Sequence, residues 1–219
     1  MLLFLLMIAT PIKLKENFDH RLDLQFLRGF SVIIVFLYHL KIPGFQNGFL
    51  GVDIFFVLSG YFMAKLVEKS DPLEFYKRRL KRLLPAYLVV VASTTLLVIF
   101  LTVPSDSIQR TDKLFYDLLA LSNFAFWAEN SYFDSSSFKP LLNIWSLAVE
   151  IQFYLLAPFI LPFLHNRKIL LISTAFVSFL ISIIFITISP KTSFFMLPTR
   201  FWEFIFGVLV AWYFVKISD

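Results

Sequence analysis

The chain has 219 residues, of which 58% are hydrophobic, 19% aromatic and 16% charged, and its mean hydropathy is +0.77. Soluble domains are roughly 45–50% apolar and about 25% charged, so this composition excludes a water-soluble monomer and a disordered chain. Cysteine is absent, which excludes disulfides, thiolate metal sites and a cysteine nucleophile. The net charge of +5 reads, in so apolar a chain, as basic cytoplasmic loops. No nucleic-acid partner and no metal are expected.

Residues 1–10, MLLFLLMIAT, are apolar but shorter than the roughly 20 residues a span needs. They lack the basic start and small-residue cleavage site of a signal peptide. They read as an interfacial or disordered leader, or as a misplaced start. Six runs are long and apolar enough to cross a bilayer as helices: 23–42, 49–67, 84–103, 143–163, 169–188 and 201–216. A weaker run at 114–128, LFYDLLALSNFAFWA, is interrupted by Asp117 and Asn123. It reads as a short surface-lying or re-entrant helix. The six runs are too long and too uniformly apolar for barrel strands. The expected fold class is therefore all-α: a polytopic helical membrane bundle, one domain over 1–219, with no separate soluble domain.

Loop charges orient this bundle. Lys65, Lys69, Lys77, Arg78, Arg79, Lys81 and Arg82 crowd residues 65–82. Lys13, Lys15 and Arg21 precede the first span, and Arg167 and Lys168 fill the 165–168 turn. The cations of the other side are spread over longer loops. Basic loops stay in the cytoplasm, so the N-terminus is predicted to be cytoplasmic. The run YKRRLKR at 76–82 is first a topology signal. It also suits anionic lipid, or the phosphates of a nucleotide-like cofactor.

An ionisable side chain inside a span costs about 2.5–3.5 kcal/mol or more, which makes each one a functional candidate. The first span carries Arg28 and His39, the second Asp53, the fourth Glu150 and the sixth Glu203. Eleven residues separate Arg28 from His39, which is three helical turns plus about 20° and a rise of roughly 16 Å. Both therefore lie on one face, at different depths. Asp53 falls near the depth of His39 across the hairpin. A carboxylate there either orients the imidazole as a general base needs or caps the second helix. Glu150 and Glu203 pair with arginine or accept from hydroxyls, with Ser146 one turn before Glu150. Trp145, Trp202 and Trp212 read as interfacial belts.

Five blocks, in order, carry a resemblance. They are RLDLQFLRGFSVIIVFLYHL at 21–40, GFLGVDIFFVLSGYFM at 48–63, FYKRRLKRLLPAY at 75–87, PLLNIWSLAVEIQFYLLAP at 140–158 and RFWEFIFG at 200–207. The chain resembles the acyltransferase-3 family of polytopic membrane O-acyltransferases. It departs from the family pattern where Asn143 and Ile144 replace a His-Thr pair, and where Ile151 replaces a second acid. The family core is also larger than six helices. The chain is therefore expected to be a fragment, the product of a frameshifted gene, or one half of a split protein whose missing helices come from a second chain.

The resemblance implies transfer of an acyl group, usually acetyl, from cytoplasmic acyl-CoA (acetyl-CoA) to a hydroxyl of an envelope polysaccharide or lipid-linked glycan. The setting would be the inner (plasma) membrane, with the lipid bilayer as partner. His39 is expected as the base that takes the hydroxyl proton, oriented by Asp53. Arg28 would hold the donor or stabilise charge at its thioester. Arg78, Arg79 and Arg82 would meet its phosphates. Glu150, Ser146, Arg200 and Glu203 complete the candidate set. Two other classes compete: a proton-coupled transporter using Arg28, His39, Asp53 and Glu150 as a relay, and a non-catalytic membrane partner.

Overall fold

The computed structural model describes residues 22–69, 71–101, 114–129 and 141–214. All regular structure among them is helical. In chain order it comprises α1 (Leu22–His39), α2 (Leu50–Val67), α3 (Pro72–Leu101), a single helical turn at 114–118, and α4 (Ser122–Ala128). It continues with α5 (Ile144–Leu164), α6 (Lys168–Ile188), α7 (Pro190–Phe195), α8 (Leu197–Leu209) and a terminal π turn (Val210–Phe214). Six stretches are long and apolar enough to span a membrane, the last formed by α7, α8 and the π turn together over Pro190–Phe214. The apolar leader at 1–10 and the basic residues before Leu22 lie outside the described residues.

The span boundaries differ from the sequence reading at two places. The third helix begins at Pro72 rather than near 84 and runs unbroken through Pro85. Its basic stretch is rich in Lys, Arg and Leu, all good helix formers, so the helix extends beyond the bilayer-crossing part. Thirty residues at 1.5 Å each make about 45 Å, against a hydrocarbon core of about 30 Å. The sixth crossing begins earlier, at Pro190, and is interrupted at Met196, whose backbone is extended. Pro198 opens α8, where its missing N–H costs no hydrogen bond.

The core lies where α2, α5 and α8 meet. Phe56 stacks on Phe204 with ring centroids 4.7 Å apart, and Phe153 stacks on Phe204 at 4.2 Å. Dispersion packing is what holds apolar helices together when lipid is as apolar as they are. Close approach is therefore essential, and glycine supplies it. A Cβ on Gly60 of α2 would lie 1.9 Å from the carbonyl oxygen of Phe204. A Cβ on Gly207 of α8 would lie 1.9 Å from that of Val57. The two backbones touch at this crossing. α1 packs on α2, and α6 packs on α8, with Leu171 and Ser178 buried.

The 114–129 segment docks into the bundle and does not lie on its surface. Asn123 is fully buried: its amide donates to the carbonyl of Phe195 at 3.1 Å and accepts from Gln152 Nε2 at 2.8 Å. The two polar residues that interrupt the run are the ones turned inward, Asp117 at 1% exposure and Asn123 at none. Trp145 is likewise core rather than belt. It is 5% exposed and packs on Phe194 at 4.4 Å and Phe195 at 5.3 Å. Trp202 packs edge-on against Phe179, and Trp212 lies against the His165 ring.

Candidate functional site

Arg28, near the start of α1, comes together with Arg79 and Arg82, near the start of α3. They line a small, partly open cleft. Ser59, Phe62 and Met63 of α2 and Tyr154 of α5 also line it. The spacing explains the grouping. Phe75, Arg79 and Arg82 recur at intervals of four and three, so they share the inner stripe of α3. Phe75 is 2% exposed and anchors that stripe. Arg78 lies one residue off the stripe, faces outward and pairs with Glu74 one turn earlier. Of the three arginines expected to act together, the structure brings Arg79 and Arg82 to Arg28 and leaves Arg78 outside.

Aromatic faces hold two of these guanidiniums. Arg79 lies between the rings of Phe75 (5.8 Å) and Tyr154 (5.4 Å), and Arg28 between Phe55 (5.7 Å) and Phe62 (5.4 Å). A ring face attracts a guanidinium without consuming its N–H donors. Among the described residues, neither Arg28 nor Arg79 makes an ion pair with a carboxylate. Their donors remain available to an oxyanion from outside.

Behind the cleft wall, Glu150 is fully buried on α5. The hydroxyls of Ser59 and Tyr154 both donate to its Oε1. Ser146 is not its partner: that hydroxyl turns back to the Asn143 carbonyl at 3.2 Å, within the first turn of α5. Ser59 and Tyr154 carried no sequence signal of their own. A serine in an apolar helix and a tyrosine in an aromatic run become functional candidates once a buried carboxylate is seen to join them.

His39 and Asp53 lie toward the opposite end of the bundle. His39 is the last residue of α1 and is exposed, and its Nδ1 is 2.7 Å from the Val35 carbonyl. A carbonyl accepts only, so Nδ1 carries the proton and Nε2 presents a lone pair outward. The expected His39–Asp53 pair is absent among the described residues. Asp53 instead pairs with Arg200 of α8, whose Nε also lies 3.2 Å from Glu203. The reason is charge: a permanent guanidinium competes better for a half-buried carboxylate than a neutral imidazole does. Arg200 is further held over the Phe56 ring at 5.4 Å. Asp53 has no side-chain capping bond; it lies in the first turn of α2, where a carboxylate also suits the helix dipole.

Among the described residues, two of the polar groupings lie toward opposite ends of the bundle. One is a cationic cleft backed by a buried carboxylate. The other combines an outward-facing imidazole with a bridged Asp53–Arg200–Glu203 cluster.

A family model described as "Acyltransferase domain" (acyltransferase-3) matches residues 21–219. The O-acetyltransferase OatA of Staphylococcus aureus (strain NCTC 8325 / PS 47) is 37% identical over 202 residues, covering 84% of this chain and 33% of the relative. The peptidoglycan O-acetyltransferase OatA of Listeria monocytogenes is 37% identical over 213 residues, 88% of this chain and 34% of the relative. The putative peptidoglycan O-acetyltransferase YrhL of Bacillus subtilis is 41% identical over 150 residues, 62% of this chain and 23% of the relative. The chain spans about a third or less of the length of these curated relatives. No solved structure matches it. The match from residue 21 to the last residue, together with six helices fit to span a membrane, establishes that this chain belongs to the acyltransferase-3 family.

Proposed function

We propose that the chain is the membrane-embedded part of an O-acetyltransferase that moves acetyl from cytoplasmic acetyl-CoA to a hydroxyl of an envelope polysaccharide at the plasma membrane. Peptidoglycan is the acceptor named for the relatives from Listeria and Bacillus. The observation that carries the reading is the convergence of Arg28, Arg79 and Arg82 on one cleft, with the donors of Arg28 and Arg79 uncommitted. Its arginines lie in the first halves of α1 and α3, toward the end of the bundle that carries Lys65, Lys77, Arg78, Lys81, Arg167 and Lys168, the end the positive-inside rule assigns to the cytoplasm.

In this reading the arginines hold the donor's phosphates, as planar guanidiniums do best. His39, roughly 16 Å further along α1, meets the acceptor. Its Nε2 takes the proton as the acceptor oxygen attacks the thioester carbonyl. The new C–O bond forms, the C–S bond breaks, and the proton passes to the departing thiolate. The Val35 carbonyl, rather than Asp53, fixes the tautomer this step requires.

The test compares O-acetyl content of the envelope polysaccharide in cells making the unmodified chain and His39→Ala at matched membrane levels. A positioned base contributes about 10²–10⁴ in rate. The variant should therefore fall to the background of cells lacking the chain. Equal acetylation by both would remove His39 from the mechanism. Acetylation by neither would show that this chain alone is not the transferring unit.

A further inference from the structure

Helix α3 carries a second stripe that the acyl-transfer reading leaves unused. Leu73, Lys77, Leu80, Lys81, Leu84 and Leu88 recur at intervals of three and four residues, so they share an arc of about 100° on one face. All six are exposed. They lie opposite Phe75, Arg79 and Arg82, which turn into the bundle. The helix cannot roll to hide them. Phe75 is buried, and the Tyr76 hydroxyl donates to the Leu155 carbonyl of α5 at 2.6 Å.

The two lysines stand one turn apart, where like charges repel. Among the described residues no carboxylate pairs with either. Glu74, the acid of α3, is taken by Arg78. The pair therefore presents two uncompensated ammonium groups within a leucine surface. Because α3 outruns the hydrocarbon core by about 15 Å, its first turns lie at headgroup level while Leu84 and Leu88 lead into the apolar crossing.

We propose that Lys77 and Lys81 bind the phosphate of an anionic phospholipid in the cytoplasmic leaflet, whose acyl chains lie along the leucines of the same stripe. The surface is distinct from the arginine cleft and does not depend on the acyl donor. The phosphate neutralises both ammonium groups, and anionic lipid at this leaflet favours each lysine placed near it. A zwitterionic lipid brings its own cation against the pair. A soluble phosphate gains nothing from the leucines.

The test uses the purified full chain in detergent and follows lipid binding by native mass spectrometry. The probes are phosphatidylglycerol, phosphatidylcholine with the same acyl chains, and glycerol 3-phosphate as a headgroup without tails. The unmodified chain should bind phosphatidylglycerol in preference to phosphatidylcholine. The double variant Lys77→Gln, Lys81→Gln should weaken phosphatidylglycerol binding by about thirtyfold and leave phosphatidylcholine binding unchanged. Both positions are exposed and glutamine is a good helix former, so the fold is kept. The double variant Lys77→Arg, Lys81→Arg should retain binding. The double variant Lys65→Gln, Lys168→Gln removes the same charge from the same end of the bundle and should have little effect. Equal weakening by the two glutamine double variants would overturn the inference, because diffuse charge would then explain the binding. Equal binding of the two phospholipids by the unmodified chain would overturn it too. So would displacement of phosphatidylglycerol by an equal concentration of glycerol 3-phosphate, which would make this a site for a soluble anion.

Discussion

Arg200 illustrates how one side chain reassigns others. The sequence pairs Asp53 with His39 by depth, but Gly48 meets Ile34 and Tyr38 and Gly51 meets Ser31 and Val35, so Asp53 lies level with the middle of α1 and His39 lies beyond it. Hairpin arithmetic carries no information about α8, which arrives 147 residues later with a guanidinium that takes Asp53. The same guanidinium is the cation nearest Glu203, which is fully buried. Removing it strands two carboxylates in a low-dielectric interior. Breaking a buried pair in this way costs about 3–5 kcal/mol. Arg200→Ala should therefore lower the thermal unfolding midpoint in detergent well below that of Asp53→Asn, which leaves Glu203 beside Arg200. Equal midpoints would show that Arg200 is not the cluster's neutralising charge. Asp53→Asn should also leave the pH dependence of acetyl transfer in place, since the His39 tautomer is fixed by Val35.

Helix α3 and the α2–α8 crossing show what pattern within an element can reveal. On α3 the basic run separates by period into an inner stripe, Phe75–Arg79–Arg82, and an outer one, Lys77–Arg78–Lys81. This division is legible from spacing alone, but which stripe faces protein depends on α5 and α1. The crossing is different: α2 runs straight through Gly60. Its role is contact between backbones. Gly60→Ala places a methyl group against the Phe204 carbonyl, so α2 and α8 must separate, at a cost of about 1–3 kcal/mol. Gly29→Ala is the control: a Cβ there meets nothing within 4 Å. It should be neutral or slightly stabilising, since alanine favours helix by about 1 kcal/mol. Comparable losses of folded protein on heating for the two variants would contradict the close approach.

For the bundle as a whole, the two polar sites at opposite ends make orientation decisive. The acyl-donor reading requires the arginine cleft to face the cytoplasm. The cysteine-free sequence makes single-cysteine labelling clean. Gln46 lies in the exposed α1–α2 hairpin and Lys77 on the outer face of α3, at the two ends. Gln46→Cys should react with a membrane-impermeant thiol reagent in intact cells, and Lys77→Cys only after permeabilisation. The reverse pattern would place the cleft outside and separate it from any cytoplasmic thioester.

Composition and periodicity were enough to establish a helical membrane bundle, the existence of six crossings and the ionisable residues worth pursuing, because a bilayer imposes length and polarity on each segment independently. The five ordered blocks were enough to point to the family. Partnerships were beyond the sequence. That Glu150 is served by Ser59 and Tyr154 instead of Ser146, that Asp53 belongs to Arg200 instead of His39, and that Arg78 stands apart from Arg79 and Arg82 all depend on contacts between distant helices. Such contacts are set by close backbone approach and by competition among charges, and neither is encoded within a single span.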